Sequence, residues 1–450
     1  MQLVEVLNRF SWGLLQDWVY FVGVFLTLGL NFAPLRLILY SLRNLWISLI
    51  KPQLLIKESN DSKEGETNAW NAFMVTLGGT LGAGNLAGTA LAISLGGPGA
   101  LAWMWVISLI GMSLKFSETF LAVQFRQIKV DGTILAGPMQ TIRRGLHQRW
   151  HWLGTVFAIG TLIAEFSSGN GVQVQQLASA MAEFGTPRLI TGLIIASLTW
   201  FFISGGLRRV ARVSGVLVPV MTLGYAIGMG TLLLIHHQEL PQALRLILDE
   251  AFHPKSITGA SLGLTIGQAV RTSVFSTEMG RGTTAIIQAT SRPADPMLQG
   301  GISMLQNLID TSICSATGLV VICSGAYANN IQSFDVLNSA MAWMHPGATW
   351  LTDLATVLFS FTTILTASIY GERCLVFLVG TNVRSTYRWI WCAALIVFAP
   401  IRSDELWSVS DMLQGLEILP NLLVLLMLSP LLFQSVAKRE LALQHHQNLS

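Results

Sequence analysis

The chain has 450 residues, 52% of them hydrophobic and 11% charged, with a formal net charge of +3. An ordinary soluble protein carries about 25% charged residues, so this balance excludes a soluble globular domain, and so small a net charge gives no footprint for nucleic acid. The four cysteines form no CxxC pair and the eight histidines fall in loops or at segment ends, so no metal motif is present.

The first apolar run, 12–33, is too long for a signal-peptide core and lacks a small-x-small cleavage site, which predicts a retained transmembrane helix. Ten further apolar runs follow in two sets of five: 69–95, 100–125, 152–181, 189–203 and 213–235, then 259–280, 297–326, 350–369, 389–399 and 413–433. Runs of about twenty residues cross a hydrocarbon core of ~30 Å at ~1.5 Å per helical residue. The expected fold class is therefore all-α, a polytopic bundle of about 11 transmembrane helices. Its parts are an extra N-terminal helix with its loop (1–67), a first five-helix repeat (68–236), an external linker (237–258), a second repeat (259–437) and a tail (438–450).

The basic residues test this topology, because Lys and Arg are retained on the cytoplasmic side. With the N-terminus outside, the inside segments hold 20 of them, from Arg36, Arg43, Lys51, Lys57 and Lys63 to Lys438 and Arg439. The outside segments hold only Arg9, Arg188, Arg245, Lys255 and Arg402. An odd number of spans then puts the C-terminus in the cytoplasm.

With five spans per set, equivalent helices of the two sets run in opposite directions, which is an inverted repeat. The first helix of each set is also the one richest in glycine: Gly78, Gly79, Gly82, Gly84 and Gly88 in one, Gly259, Gly263, Gly267, Gly280 and Gly282 in the other. Gly82-Ala83-Gly84-Asn85-Leu86-Ala87-Gly88 follows no strand and lacks GxGxxG spacing, so it is not a dinucleotide loop. So many glycines weaken a helix more than close packing alone explains. The run predicts a break that presents the NH groups of Gly82, Ala83, Gly84 and Asn85 to a carboxylate and frees carbonyls for a cation.

Polar residues within the apolar runs mark further candidates. Asn170 and Gln173 stand one helical turn apart and act either as interhelical hydrogen-bond glue or as contacts for a substrate's charged ends. Thr265 and Gln268 on the second glycine-rich helix are similar candidates. Glu278 with Arg281, Lys115 with Glu118 and Glu372 with Arg373 read as ion pairs or a gate near the cytoplasmic end, with a proton relay through Glu278 as the alternative.

At Gly96-Gly97-Pro98-Gly99-Ala100-Leu101-Ala102-Trp103-Met104-Trp105 the chain resembles the alanine/glycine:cation symporter family, whose signature is a GGPGA-type turn followed by FWMW. The similarity continues through Lys115-Phe116-Ser117-Glu118, Gly169-Asn170 with Gln173, Gly205-Gly206-Leu207-Arg208-Arg209, Phe275-Ser276-Thr277-Glu278-Met279-Gly280 and Tyr370-Gly371-Glu372-Arg373, closing at Pro420-Asn421-Leu422. Ala102, Gln175, Thr277 and Met279 depart from the family pattern, which bears on the amino acid carried but not on the class.

The resemblance implies a leucine-transporter-like 5+5 inverted repeat in a bacterial plasma (inner) membrane. It also implies a symporter that imports alanine, glycine or another small neutral amino acid with sodium by alternating access, and that needs no cofactor. For the ion it implies carbonyls of Gly78, Leu81 and Phe359 and hydroxyls of Thr362 and Thr363, an oxygen-only set suited to a hard cation. A second ion is placed near Thr80 and Asn85. A proton-coupled carrier is the alternative within transport. For a membrane enzyme or a channel the chain offers no nucleophile–base pair, metal motif or repeated selectivity loop.

Overall fold

The computed structural model of the chain describes residues 2–53, 65–129, 132–252, 262–328, 333–401 and 405–448. Lys57, Lys63, Lys255, Gly259 and Arg402 lie outside these ranges. After α1 (Gln2–Gly29) come two shorter helices, α2 (Ala33–Arg36) and α3 (Ile38–Ile50). A broken helix follows, its halves being α4 (Ala69–Thr80) and α5 (Thr89–Gly96). The first set continues with α6 (Gly99–Gln124), the short α7 (Pro138–Gly145), α8 (His151–Glu165), α9 (Gln173–Glu183), α10 (Arg188–Ile203) and α11 (Gly206–Ile235). Beyond α12 (Leu240–Phe252), the second set opens with another broken helix, α13 (Leu262–Thr277) and α14 (Thr283–Gln288). It continues with α15 (Pro296–Cys323), α16 (Ser333–Met344), α17 (Thr349–Val379), α18 (Arg384–Phe398) and α19 (Glu405–Asn448).

Local chemistry sets the ends of these helices. Asn68 caps α4 by accepting from Asn71 N, and Asp295 caps α15 by accepting from Leu298 N with Pro296 in the first turn. Gly97 (φ 77°) ends α5 and Gly380 (φ 96°) ends α17, both in backbone that only glycine adopts without strain.

Hydrogen bonds establish that the two sets are inverted. Along the α6–α15 interface Trp105 pairs with Ser315, Ser108 with Thr311, Lys115 with Gln306 and Thr119 with Ser303, at 2.6–2.9 Å. One index rises as the other falls, so the second helices of the two sets run antiparallel. In the fourth helices, Gly192 packs on Ala399 while Trp200 stacks on Trp389, which is the same reversal. The broken helices also cross halves: α13 packs on α5, and α14 on α4. Order-matched helices that cross between halves and run antiparallel are the arrangement of an inverted repeat.

Apolar burial divides the molecule in two. One cluster joins α1, α4–α6, α13, α15 and α19 through residues such as Leu26, Phe73, Phe116, Ile302 and Leu422. The other joins α8–α10, α17 and α18 through residues such as Phe157, Ile195, Leu365 and Trp391. Outward, α11 exposes Val216, Val220, Leu223, Ile227 and Leu234, an apolar stripe at helical spacing with no protein to cover it. Five described helices are long and apolar enough to cross a membrane unaided. The protein is a multi-pass membrane protein.

The stretches read from sequence as loops hold three helices, α3, α12 and α16, of 12 or 13 residues each. They are too short to span, and α3 shows why they escaped notice: it is amphipathic, exposing Leu39, Leu42, Trp46 and Leu49 along one side.

A candidate binding cavity at two helix breaks

The first break falls where the glycines predict it. Thr80 ends α4, Leu81 is extended (φ −73°, ψ 95°), and the helix resumes through a π-helical turn at Gly84–Gly88. Glycine is required here by contact as well as by flexibility. A Cβ on Gly79 would stand 2.6 Å from Thr366 Cγ2, and one on Gly78 2.8 Å from Val218 Cγ2. The second break spans residues 278–282, with Glu278 (φ 54°), Gly280 (φ 81°) and Gly282 (φ 77°) all left-handed. Glu278 carries a side chain in a conformation that costs an L-residue about 1–2 kcal/mol, strain that recurs at functional sites.

At the first break, backbone oxygens converge on one side chain. Thr363 Oγ1 on α17 lies 3.2 Å from Gly78 O, 3.1 Å from Leu81 O and 3.0 Å from Phe359 O. A hydroxyl owns one proton, so it can donate to only one of these carbonyls. The surplus of oxygen lone pairs fits a hard cation better than a proton donor. Thr362 Oγ1 instead donates to Phe359 O at 3.0 Å on its own helix and faces Met221 Sδ.

Beside this cluster a cavity opens between the two breaks. Gly82 and Gly84 line it from the first, Glu278 and Arg281 from the second, and Glu165 and Gln173 from the helix facing them. It is narrow, with about 20 Å³ free to the centre of a water-sized body, room for a water or two, and it is partly open to solvent. Phe275 covers it, stacked on Trp407 with ring centres 5.0 Å apart. On its wall, Ala83 N donates to Gln173 Oε1 at 3.2 Å and Gly82 N donates to Asn85 Oδ1 at 3.0 Å. Two amide oxygens thus sit where a bound carboxylate would accept from the start of the second half-helix.

Of the residues singled out from sequence, Gly82, Gly84, Gln173, Glu278, Arg281 and Thr363 line this one cavity. Asn170 does not. Its Nδ2 donates to Trp391 O at 3.0 Å, because Phe166–Val172 is π-helical and three residues there no longer complete a turn. Thr265 and Gln268 lie a helix length away at the end of α5, where Thr265 Oγ1 donates to Gly96 O at 2.8 Å and Gln268 Cβ packs beside Gly96. Asn85 links the break to α15, its Nδ2 donating to Asp310 Oδ1 at 3.3 Å.

Charge gathers at the far side of the cavity. Arg281 is paired with Glu165 at 2.8 Å, with Glu417, and with Glu278 at 3.7 Å, all buried. Sequence reasoning named Glu278 and Arg281 but missed Glu165 and Glu417. Their signal was available: each is a single acid inside a long apolar run, a costly placement that marks a functional interior. The other expected pairs re-sort. Arg373 binds Glu66 and Glu372 binds Arg388 at 2.6 Å, since i,i+1 neighbours on a helix do not face each other, while Lys115 donates to Thr284 and Gln306 and Glu118 accepts from Asn421. Above Phe275, Arg271 on α13 is paired with Asp411 on α19.

Two broken helices from inverted halves, with a narrow cavity where their ends meet, define a secondary transporter. The sodium:alanine symporter family model matches residues 1–448, and the chain belongs to that family. It is 32% identical over 95% of its length to the sodium/alanine symporter AgcS of Methanococcus maripaludis, covering 95% of that protein. It is 35% identical over 94% of its length to an uncharacterised transporter of Haemophilus influenzae, covering 92% of it. Among solved structures it resembles MhsT in complex with L-phenylalanine, with a TM-score of 0.58 at 13% identity, covering 81% of this chain and 90% of that one. The fold is that of the leucine transporter. The chain is a transporter of the amino-acid and cation symport class, not an enzyme.

Proposed function

We propose that the protein imports a small neutral amino acid such as alanine or glycine together with sodium across a bacterial inner membrane. The observation that carries this reading is the convergence of three backbone carbonyls on Thr363 Oγ1 at the first helix break. Sodium binds among Gly78, Leu81, Phe359 and Thr363 and fixes the break open. The NH groups of Gly82 to Asn85 then exchange the amide oxygens of Gln173 and Asn85 for the substrate carboxylate. The freed Gln173 oxygen turns to the substrate ammonium. The close lining of the cavity, Phe275 included, favours a substrate with a small side chain. Ion and substrate each stabilise the other's site by holding the same break in one geometry, which is the source of coupling. The predicted topology places eleven spans with the N-terminus outside and the C-terminus in the cytoplasm.

The test is uptake of labelled alanine and glycine into proteoliposomes of the purified protein, with sodium replaced by choline at fixed pH. Uptake that requires sodium supports the reading. Uptake that follows an imposed pH gradient and ignores sodium assigns the coupling to protons instead.

A further inference from the structure

The motif Gly205-Gly206-Leu207-Arg208-Arg209 opens α11, and the cavity makes no use of it. Arg208, Arg212, Val216, Val220, Leu223 and Ile227 follow one another at three or four residues, so they share one face of the helix. All six are exposed. The outward face therefore begins with two arginines and continues as hydrocarbon, Arg212 standing about 6 Å along the axis before Val216. Two guanidinium groups at the foot of an uncovered apolar stripe match a phospholipid, whose phosphate lies just beyond its acyl chains.

A place on the basic side of the membrane does not by itself explain this pair. Other arginines of that side are engaged by the protein: Arg373 with Glu66, Arg388 with Glu372 and Arg439 with Asp295. Arg209, next in the chain, donates to Phe201 O at 2.7 Å and to Ser204 Oγ at 3.2 Å. Among the described residues Arg208 and Arg212 have neither a hydrogen bond nor an ion pair. The sequence supplies no Asp or Glu from residue 184 to residue 238, so their charge is left for an anion from outside the chain.

The opposite face of α11 packs on the first broken helix. Val218 Cγ2 lies 2.8 Å from where a Cβ on Gly78 would stand, and Met221 Sδ lies 3.9 Å from Thr362 Oγ1. Pro219 has no N–H to give Gly215 O, which accepts instead from Trp70 Nε1 of α4 at 3.2 Å. The helix is thus weakened between its arginines and most of its stripe, and at that level it is tied to α4.

We propose that an anionic phospholipid binds the outward face of α11, its phosphate held by Arg208 and Arg212 and an acyl chain lying along Val216 to Ile227. Its occupancy steadies α11 against α4, the half-helix that carries Gly78. Guanidinium groups are always charged and present paired N–H donors that fit phosphate oxygens. A zwitterionic phospholipid offers the same phosphate, but its own cation cancels the attraction. The lipid site stands on the geometry of α11 alone; its effect on sodium rests on the reading of Gly78 as an ion ligand.

The reporter is a fluorophore on Leu223→Cys in a background without the four native cysteines. The protein is reconstituted in phosphatidylcholine vesicles containing increasing mole fractions of brominated phosphatidylglycerol or of brominated phosphatidylcholine, and quenching is recorded. Phosphatidylglycerol should reach half-maximal quenching at an about tenfold lower mole fraction. Arg208→Gln/Arg212→Gln should bring the two lipids within about twofold of each other. Arg149→Gln/Lys438→Gln removes the same charge from exposed positions on the same side of the predicted topology, and should keep the preference. An unchanged preference in Arg208→Gln/Arg212→Gln, or its loss in both variants, would overturn the site. Excess inorganic phosphate at constant ionic strength should leave the preference intact; its abolition would assign the arginines to free phosphate and overturn the lipid. For the link to α4, the sodium concentration for half-maximal alanine uptake should be about fivefold lower in vesicles with phosphatidylglycerol than without, and Arg208→Gln/Arg212→Gln should abolish that difference. A lipid preference in quenching with no such difference would overturn the link to α4. If the parent carries no alanine, the carrier reading fails and quenching still decides the lipid site.

Discussion

Thr363 Oγ1 has three carbonyl oxygens within 3.2 Å, whereas the Thr362 hydroxyl is spent on its own helix. The two threonines therefore separate in their effects. Thr363→Val keeps side-chain volume but removes an oxygen from the ion's shell. It should raise the sodium concentration for half-maximal uptake by about tenfold or more, about 1.4 kcal/mol. Thr362→Val should leave that value within about twofold, since it strips only a local bond worth roughly 1 kcal/mol. Superimposable sodium curves for Thr363→Val and the parent at equal membrane abundance would misplace the ion. Gln173→Glu tests the substrate end. A carboxylate in that position would hold Ala83 N and repel the substrate's own carboxylate, so the KM for alanine should rise at least about tenfold. An unchanged KM would mean that the amide does not stand in for the substrate. At this scale the sequence was partly legible. Thr363 came from the resemblance, and Gln173 from standing with Asn170 as polar residues within an apolar run. Asn170 was misdirected by a π turn that spacing cannot reveal, and Glu165 and Glu417 come from separate helices that only the fold brings to Arg281.

The breaks are where local chemistry becomes architecture. Glycine density marked the first to within a residue or two, because four glycines in seven positions leave little helix to hold. The second was harder to place. Its glycines are spread from one end of the helix to the other, and the bend sits at Glu278, a residue whose left-handed backbone is imposed by its surroundings rather than encoded by type. Gly84 binds the two breaks together. A Cβ there would stand 2.5 Å from Phe275 Cδ1 and 3.3 Å from Ser276 Oγ, so any side chain pushes the cover off the cavity. Gly84→Val is expected to reach the membrane in normal amount and to transport no alanine, with Gly84→Ala intermediate. Normal uptake by Gly84→Val would reduce the glycine to simple helix packing. The helices missed in the loops, α3, α12 and α16, carry no such signal, since a short amphipathic segment beside a bilayer has the composition of a surface loop.

For the molecule as a whole, the cavity lies beside both large apolar clusters, and motion of one against the other is the proposed route by which it opens to either side. Each side is held by its own contacts. Arg271–Asp411 and Phe275–Trp407 close the side of α5, and on the side of the basic loops Glu66 receives two hydrogen bonds from Arg373 and a third from Ile134 N. There, Thr67 and Asn68 also pair in parallel with Ser291 and Arg292, tying the entry to one broken helix to the exit from the other. Breaking a buried ion pair by removing one partner costs about 3–5 kcal/mol, close to the ~5.5 kcal/mol that inverts a 1:99 equilibrium. Removing both charges avoids an orphaned carboxylate and so isolates the loss of closure from a loss of stability. Glu66→Gln/Arg373→Gln should therefore favour the state open toward the basic loops. The readout is a single cysteine at Ser168, which lines the cavity, in a background without the four native cysteines. With an impermeant thiol reagent, labelling from the basic-loop face should rise about tenfold or more in the double variant and fall from the opposite face. Equal labelling of parent and variant from both faces would show that the pair fastens a loop and takes no part in alternating access.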